Sequence, residues 1–354
     1  MCRLWLLLAL GCGPAEPPCV STPLPPPPDA PFEVLWAGDT LLADAARPLL
    51  ERRGYDAAFE RVLPLLEGAD LRILNLEGPI TTRTEPLDTD RAWTYEASPA
   101  SARAIADAGF DAVSLANNHG MDRGAEGLLD TLAHLRDAGV RAFGGGEDLA
   151  SARAPYVVDT PHGRLAVFGF YLGARPHWVA RPFLPGIVPG NATEIDRARR
   201  AARRVGADHT VAYVHWGPNY GHVSGSQRVF ARQLAEAGFD LVVGHGAHVV
   251  QPAERICGTT VFYSLGNFVF GTPGRFSREF PGHGLVLVSH LGPDGFGAFE
   301  LRCIRTDNRD VGYRPQPCPD DEARAVLSAL HPHVDVVDGV GRWTGGLAVA
   351  APSG

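Results

Sequence analysis

From residue 32 onward, apolar runs of strand length alternate along the chain with segments that have helical periodicity. This alternation is typical of an α/β or layered α+β domain, in which helices and sheets cover one another's apolar faces. Strands are predicted at residues 33–37, 71–74, 112–115, 141–143, 165–170, 210–214, 241–243, 260–263 and 285–289.

Helical segments connect these strands. The clearest cover residues 124–138 and 227–237, where apolar residues recur at helical spacing. Gly139 and Gly238 follow them, as expected where a helix ends in a left-handed residue. The arginine-rich segment 197–204 fits a surface helix with a solvated basic face.

The pattern predicts one catalytic domain over residues 32–290, with no internal linker or repeat. Residues 291–354 are expected to form a C-terminal extension that packs on the same domain. Within it, a hairpin is predicted around residues 296–304 and a helix at 320–330. This extension carries no recognisable chemistry.

Five short polar segments stand where hydrophobic runs stop, which places them in loops at the ends of predicted strands. Such positions commonly gather ligands in α/β sheets, because the carboxyl ends of parallel strands meet at one edge. The segments are Gly38-Asp39, Asn75-Leu76-Glu77, Asn117-Asn118-His119, His215-Trp216-Gly217 and Gly244-His245-Gly246-Ala247-His248.

Together these segments supply carboxylates, a carboxamide and imidazoles, without sulfur. This mixed oxygen and nitrogen ligand set suits a divalent Mn, Fe or Zn ion, with one or two per chain. A metal in such a site lowers the pKa of bound water and stabilises charge on the attacked centre. The segments therefore predict a metal-assisted hydrolytic site.

Each segment also has an ordinary structural explanation when taken alone. Asp39 fits a turn or an N-cap, Glu77 a loop glutamate, and His215 a satisfied core histidine. The Asn-rich segment fits a turn, and a lone His-x-x-His pair is weak evidence for metal. The occurrence of all five segments at strand ends favours the functional interpretation.

The N-terminus is predicted to be an export leader over residues 1–12, because the apolar run 4–10 is too short to span a bilayer. The sequence Ala9-Leu10-Gly11-Cys12 resembles a bacterial lipoprotein cleavage box, which would place a lipid on Cys12. An ordinary signal peptide is the alternative. Residues 13–31 are proline-rich and are predicted to form a semi-rigid tether that packs no core.

Cysteine usage is compatible with an exported protein. Loss of the leader and acylation of Cys12 would leave Cys19, Cys257, Cys303 and Cys318. A disulfide between Cys303 and Cys318 is the most plausible pairing because the two lie close in sequence. Free buried thiols are the alternative.

The formal net charge of −8 and the pI near 5.9 argue against nucleic acid as a partner.

An ordered string of motifs over residues 33–270 resembles the CapA (poly-γ-glutamate capsule synthesis) family. Besides the five polar segments, the matching motifs are Tyr220, Gln227, Gly238-Phe239-Asp240, His248-Val249-Val250-Gln251, Tyr263-Ser264-Leu265-Gly266-Asn267-Phe268, Asp122 and Gly124. The resemblance implies a calcineurin-like metallophosphoesterase fold, an αββα sandwich of two mixed sheets flanked by helices.

The resemblance also implies roles for individual residues. Glu77 and His119 would be catalytic, with His119 as the proton donor. Asn117 and Asn267 are expected to contact substrate, although turn chemistry explains Ser264 and Gly266 of the latter's segment equally well. The implied ligands of one metal are Glu77, Asn118, His215 and His245, and those of the other are Asp39, Glu77 and His248.

Two positions depart from these patterns. Leu41 stands where metallophosphoesterases have a histidine ligand, so the second metal lacks one ligand. Asn219 stands where the CapA family commonly has a glutamate.

The expected function is that of an exported, lipid-anchored hydrolase of the cell envelope, in which a metal-bound hydroxide attacks a phosphoester or an amide. It would act on or help assemble a cell-surface polymer, such as poly-γ-glutamate or another anionic capsule polymer, beside the capsule synthesis machinery. The alternative is a non-catalytic accessory that binds and guides the polymer. The missing histidine at Leu41 favours the accessory, whereas the complete ligand set of the other metal favours the enzyme.

Overall fold

A computed structural model describes residues 22–344. The strands are β1 (Phe32–Leu41), β2 (Leu71–Leu76), β3 (Ala112–Ser114), β4 (Arg141–Phe143), β5 (Gly145–Gly146), β6 (Tyr156–Thr160), β7 (Gly163–Tyr171), β8 (Gly186–Ile187), β9 (His209–His215), β10 (Leu241–His245), β11 (Val250–Ile256), β12 (Thr259–Leu265), β13 (Asn267–Phe270), β14 (His283–Gly292), β15 (Gly295–Arg305), β16 (Gln316–Pro317), β17 (Asp335–Val337) and β18 (Val340–Thr344). The helices are α1 (Arg47–Arg53), α2 (Ala100–Asp107), α3 (Gly124–Asp137), α4 (Leu149–Arg153), α5 (Ala192–Val205), α6 (Gly225–Glu236), α7 (Asn308–Val311) and α8 (Asp320–Ser328), with 3₁₀ turns at Asp44–Ala46, Tyr55–Ala58 and Leu63–Leu65.

Two mixed sheets form the frame of the domain. The first has the order β17-β18-β15-β14-β1-β2-β3-β4, with β13 added beside β1 and β16 beside β15. The second has the order β11-β12-β10-β9-β7-β6. In each sheet the central strands run parallel, so their carboxyl ends share one edge.

The two sheets pack face to face, and helices cover their outer faces. Trp36 of the first sheet stacks on Tyr213 of the second, with ring centroids 5.8 Å apart. Separate apolar clusters lie outside each sheet, one including Ile105 of α2 and another including Phe230 of α6. This layering confirms the predicted αββα sandwich of two mixed sheets.

Local sequence accounts for the ends of the helices beside the second sheet. The Ser224 side chain accepts a hydrogen bond from the Gln227 N–H, and the Gln227 side-chain oxygen accepts one from the Ser224 N–H, which forms a capping box at the start of α6. Helix α5 starts at an Asn191 cap and ends at Gly206, whose φ of 66° is left-handed.

The chain after residue 290 continues the first sheet. Strand β14 crosses that position, and β15 pairs with β14 over its whole length. The predicted hairpin around residues 296–304 is wrong, because these residues form one strand whose hairpin partner is β14. The predicted disulfide is confirmed: Cys303 and Cys318 are bonded, which ties β15 to the segment before α8.

The last part of the proline-rich segment lies on the domain. Leu24 is 7% exposed and joins the core between the sheets, while Arg255 Nε donates to the carbonyl of Thr22 at 2.8 Å. The expectation that residues 13–31 pack no core is therefore wrong for this part. The predicted leader, with Cys12, lies outside the described residues. Every helix within residues 22–344 is too short or too polar to cross a bilayer.

Candidate metal centre

The polar segments converge where the carboxyl edges of the two sheets meet. Asp39, Glu77, Asn118 and His119 come from the first sheet and the loops that follow its strands. The second sheet contributes His215, the last residue of β9, and His245, the last residue of β10. His248 follows three residues later. All of these side chains except that of Asn118, whose residue is half-buried, are buried in the fold.

Asp39 lies inside β1 and not in a loop, because β1 changes partner near its end. After Ala37 the strand leaves β14 and pairs with β13, which places Asp39 opposite Asn267. Gly38 permits this approach, since a Cβ atom there would lie 1.9 Å from the carbonyl oxygen of Gly266.

The Asp39 carboxylate is held by neutral donors on two sides. Asn75 Nδ2 donates to Oδ1 at 2.9 Å, and the backbone N–H of Gly246 donates to Oδ2 at 3.0 Å. The Nδ1 atoms of His245 and His248 lie 3.4 and 3.3 Å from this carboxylate. Asp39 therefore lies between the histidines of the second sheet.

Glu77 lies across from the same histidines. Its Oε1 atom is 4.0 Å from His215 Nε2, 3.7 Å from His248 Nε2 and 4.0 Å from His119 Nε2. These separations exceed hydrogen-bonding distance. One carboxylate oxygen therefore faces three imidazole nitrogens across a small gap.

Four buried polar atoms in this cluster have no hydrogen-bond partner: both carboxylate oxygens of Glu77, Oδ1 of Asn118 and Nε2 of His245. Leaving such groups unpaired in a buried site costs free energy, and most of all for a carboxylate. A divalent cation is the ligand that oxygen and imidazole nitrogen atoms in this arrangement would satisfy together. The residues present therefore fit a metal.

Two triads in this cluster have their ligand atoms within 4.8 Å of one another. The first, here the His215 triad, is Asp39, His215 and His245; the second, the His248 triad, is Asp39, Glu77 and His248. The second reproduces the ligands expected for one of the two metals. The first contains His215 and His245, two of the ligands expected for the other metal, together with Asp39, which belongs to both triads.

The electrostatics of the two carboxylates differ. Burial raises the pKa of Asp39, but hydrogen bonds from His245 and His248 and the charges of nearby histidines outweigh it and hold the pKa well below its usual value. Burial, reinforced by the charge of Asp39, raises the pKa of Glu77 well above its usual value. Burial also lowers the pKa values of His215 and His245, which favours the neutral, metal-binding imidazole.

The backbone around His248 is strained. His248 has a φ of 61°, a left-handed conformation that costs free energy for a residue other than glycine. Its Nδ1 atom lies 2.9 Å from Oδ1 of Asn267, which fixes the orientation of the ring. Asn267 therefore positions a candidate ligand, a contact that the sequence did not predict.

His119 is oriented by Asp122. Its Nδ1 atom lies 2.6 Å from Oδ2 of Asp122, which leaves Nε2 directed toward Glu77. The ring packs against Tyr95 with centroids 4.5 Å apart. Arg91 donates to the carbonyl of Asn118 at 2.7 Å and also pairs with Asp122. Burial lowers the pKa of His119, although Asp122 opposes the shift.

Asn117 lies beneath the site and is fully buried. Its Nδ2 atom donates to Oδ1 of Asn75 at 3.0 Å and to the carbonyl of Leu76 at 2.7 Å, and its Oδ1 accepts from the N–H of His119. Because its amide donors are used within the protein, Asn117 holds the loop that carries His119 and does not face a substrate.

The two divergent positions have different surroundings. Leu41 is 1% exposed and packs in the apolar cluster outside the first sheet, where it offers no ligand atom. Asn219 is exposed and lines the cavity that opens onto the site.

This cavity has a volume of about 580 Å³ and is bordered by His119 and His248 at its base. Three arginines that the sequence did not single out, Arg91, Arg175 and Arg275, line it. They come from loops without periodicity, so no sequence pattern marked them. Their charges make the cavity suitable for an anion.

The arginines are paired differently. Arg91 pairs with Asp122, and Arg175 lies 3.0 Å from Asp90. Arg275 instead stacks on two aromatic rings, 5.1 Å from the centroid of Tyr220 and 5.4 Å from that of Trp93. Of the three arginines, Arg275 therefore has the charge that is best able to bind an anionic ligand.

The fold and site together define a two-sheet α/β protein with a buried cluster of candidate metal ligands beside an arginine-lined cavity. A family model described as "Bacterial capsule synthesis protein PGA_cap" matches residues 33–272. The chain belongs to this family, which confirms the resemblance drawn from its motifs.

The chain is also similar to individual proteins. The chain is 31% identical over 294 residues to the PGA biosynthesis protein CapA of Bacillus subtilis, covering 82% of this chain and 75% of that protein. It is 33% identical over 221 residues to a Mycobacterium tuberculosis protein named "Probable polyglutamine synthesis accessory protein", covering 59% of this chain and 58% of that one. It is also similar to the structure of the calcineurin-like phosphoesterase YfkN from Bacillus subtilis, with a TM-score of 0.43, 12% identity and coverage of 81% and 88%.

Proposed function

We propose that this chain is a metal-dependent hydrolase of the cell envelope that acts on or helps assemble an anionic cell-surface polymer. The observation that carries the proposal is the set of unpartnered, buried ligand atoms on Glu77, Asn118 and His245 beside Asp39. A site that served only packing would be expected to satisfy these atoms internally.

The residues that would hold metal are Asp39, His215 and His245, with Asn118 beside them, and Asp39, Glu77 and His248. Mn, Fe or Zn suits this donor set. When bound, such an ion acidifies water and stabilises negative charge on the group under attack.

The protein's own groups supply the rest of the chemistry. His119, in its protonated form, would donate a proton from Nε2 to the leaving group, while Asp122 accepts a hydrogen bond from its Nδ1–H and stabilises the charged ring. Arg275 and Arg175 at the mouth would bind a negatively charged part of the substrate. The hydrogen bond from the His119 backbone N–H to Oδ1 of Asn117 keeps this proton donor in place.

The bond that is cleaved would be a phosphoester or an amide. An anionic polymer such as poly-γ-glutamate fits the arginine-lined cavity, and the name of the Bacillus subtilis relative refers to PGA biosynthesis. The capsule synthesis machinery would be the functional partner.

A non-catalytic accessory that binds polymer is the second candidate. Leu41 favours it, because this buried apolar side chain leaves the His248 triad one ligand short of the metallophosphoesterase pattern. The Mycobacterium tuberculosis relative is itself named an accessory protein.

A substrate panel separates the two candidates. Purified protein loaded with Mn, Fe or Zn is tested against phosphomonoesters, phosphodiesters and γ-glutamyl amides. Turnover that disappears in Glu77→Ala and falls in His119→Ala supports the hydrolase. Failure of every substrate class, together with metal-dependent binding of polyglutamate, would refute the hydrolase and support the accessory.

The envelope location is proposed from the leader and from the capsule synthesis family. If Cys12 carries a lipid, Cys12→Ser should release the protein from membranes into the periplasmic or extracellular fraction. An ordinary signal peptide predicts no such shift. Unprocessed protein in the cytosol would contradict both forms of the proposal.

A further inference from the structure

The outer flank of the second sheet carries an aromatic tip built as a rigid turn. Arg181 and Leu184 exchange two backbone hydrogen bonds, each 3.1 Å long, which close a four-residue turn around Pro182 and Phe183. At the base of this turn, the N–H of Leu149 donates to the carbonyl of Arg181 at 2.9 Å. The tip is therefore held in position by the domain.

The apolar side chains of this tip face solvent. Phe183 is 93% exposed and Leu184 is 53% exposed. Two adjacent apolar side chains on a fixed turn gain free energy only when something covers them. The structure thus presents an apolar wedge that the domain itself does not bury.

A basic stripe lies beside the wedge. Arg197, Arg200 and Arg204 of α5 are three and four residues apart, so they share one face of the helix, and they line the same groove as Phe183. The groove has a volume of about 640 Å³. The apolar wedge and the guanidinium groups therefore belong to one surface. We call this surface the basic flank and define it by Arg181–Leu184, Arg197, Arg200 and Arg204.

Part of the charge of this surface is left unpaired by the described residues. Glu194 pairs with Arg153 and with Arg197, but it is a buried carboxylate at the start of the helix. Arg200 and Arg204 are exposed, and no ion pair involves either of them among residues 22–344. Helix α5 carries five arginines and two acidic residues in a chain whose net charge is −8.

We propose that the basic flank docks on an anionic lipid surface, with Phe183 and Leu184 inserted at the headgroup level and the arginines on lipid phosphates. Peripheral membrane binding requires both an apolar insertion and basic charge, and the flank offers the two side by side. The 93% exposure of Phe183 on a fixed turn suits insertion into a headgroup layer. The proposal is independent of the metal centre and of the predicted lipid on Cys12.

The test is sedimentation of the full chain with vesicles of phosphatidylcholine alone or with added phosphatidylglycerol. Any contribution of the leader is present in every arm, so the comparison between variants isolates the flank. Wild type should bind the anionic vesicles more tightly, and added salt should remove the difference. Arg200→Ala/Arg204→Ala should weaken binding to anionic vesicles by roughly 30-fold, about fivefold for each arginine.

Phe183→Ser should weaken binding to anionic vesicles by roughly tenfold, because the apolar insertion is lost. Two matched controls should bind like wild type: Arg52→Ala/Arg53→Ala, which removes two exposed arginines from α1, and Val337→Ser, which removes an apolar side chain that is 51% exposed.

Equal binding to both kinds of vesicle, or loss of binding in the controls as large as in the flank variants, would overturn the proposal. A second arm tests soluble polyglutamate. If the flank arginines govern polyglutamate binding while vesicles are ignored, the surface holds a polymer and the lipid assignment is wrong.

Discussion

His215 and His245 are direct partners on neighbouring parallel strands, and their Nδ1 atoms lie 3.1 Å apart. Because they end β9 and β10 in register, the sheet itself brings the two imidazoles together. Gly246 then turns the chain with a φ of 101°, and a Cβ atom there would lie 2.9 Å from the His215 ring. The rigid strands thus position the rings for a shared ligand.

The first prediction concerns metal content. We expect His215→Ala to weaken metal binding by at least about tenfold, because it removes a ligand from the Asp39, His215 and His245 triad. Elemental analysis of purified protein measures the effect. His209→Ala is the matched control, since His209 is buried on the same strand and its Nε2 atom lies 2.9 Å from the His162 carbonyl, away from the candidate ligands. Metal loss that is equal in both variants would contradict the site assignment.

The second prediction concerns Glu77 in the metal-free protein. Glu77→Gln should raise the free energy of unfolding at neutral pH by about 1–3 kcal/mol, because it removes a buried carboxylate without a partner. The same substitution should weaken metal binding. Thermal or urea unfolding after chelation measures the first effect, with Glu126→Gln, whose side chain is 66% exposed, as the control.

The pH dependence of this gain follows from the raised pKa of Glu77. Well below the ordinary pKa of glutamate, both folded and unfolded chains carry the proton, so the substitution should change little. As pH rises through the ordinary value, the unfolded chain loses its proton first, and the folded protein is destabilised relative to Glu77→Gln. A gain that is the same at acid and neutral pH would show that charge is not its cause.

The third prediction concerns proton donation. His119→Ala should lower turnover by roughly two to four powers of ten while leaving metal content unchanged. The loss should be smaller for nitrophenyl phosphodiesters, since a good leaving group needs less protonation. Asp122→Asn should lower turnover as well, because it removes the carboxylate that stabilises the protonated ring of His119. A loss of equal size for good and poor leaving groups would argue against a proton donor.

The fourth prediction concerns the cavity mouth. Arg275→Ala should raise KM for an anionic substrate by roughly 10- to 100-fold, as expected when a charged hydrogen bond is lost, with a smaller change in kcat. Arg278→Ala is the control, because this exposed arginine lies three residues away and does not line the cavity. If no turnover is found, the same comparison can be made on the Kd for polyglutamate. Equal behaviour of the two variants would remove Arg275 from substrate binding.

Much of the site could be predicted from sequence, for a simple reason. Parallel strands end at one edge, so polar residues after buried runs, such as those at 75–77 and 117–119, must gather there. Helix 124–138 was similarly readable, because its apolar residues follow the helical period and it ends before Gly139. The Cys303–Cys318 disulfide joins residues close in sequence, so short separation favoured it.

The sharing of Asp39 between the two triads could not be predicted, because it depends on the change of partner strand after Ala37. The hydrophobic pattern indicates which residues are buried, but it does not indicate where a strand leaves one neighbouring strand and pairs with another. The same limit explains why the hairpin predicted around residues 296–304 is wrong, since an apolar run does not identify its partner strand.

The sequence by itself determined the alternating order of strands and helices, the chemical types of the candidate ligand residues and the family to which the chain belongs. These follow from local periodicity and from an ordered string of motifs. Only the tertiary structure decided that Asn117 supports a loop, that Asn267 orients His248, and that Arg275 stands at the cavity mouth. These roles depend on contacts between segments far apart in the chain, and no local pattern encodes such distances.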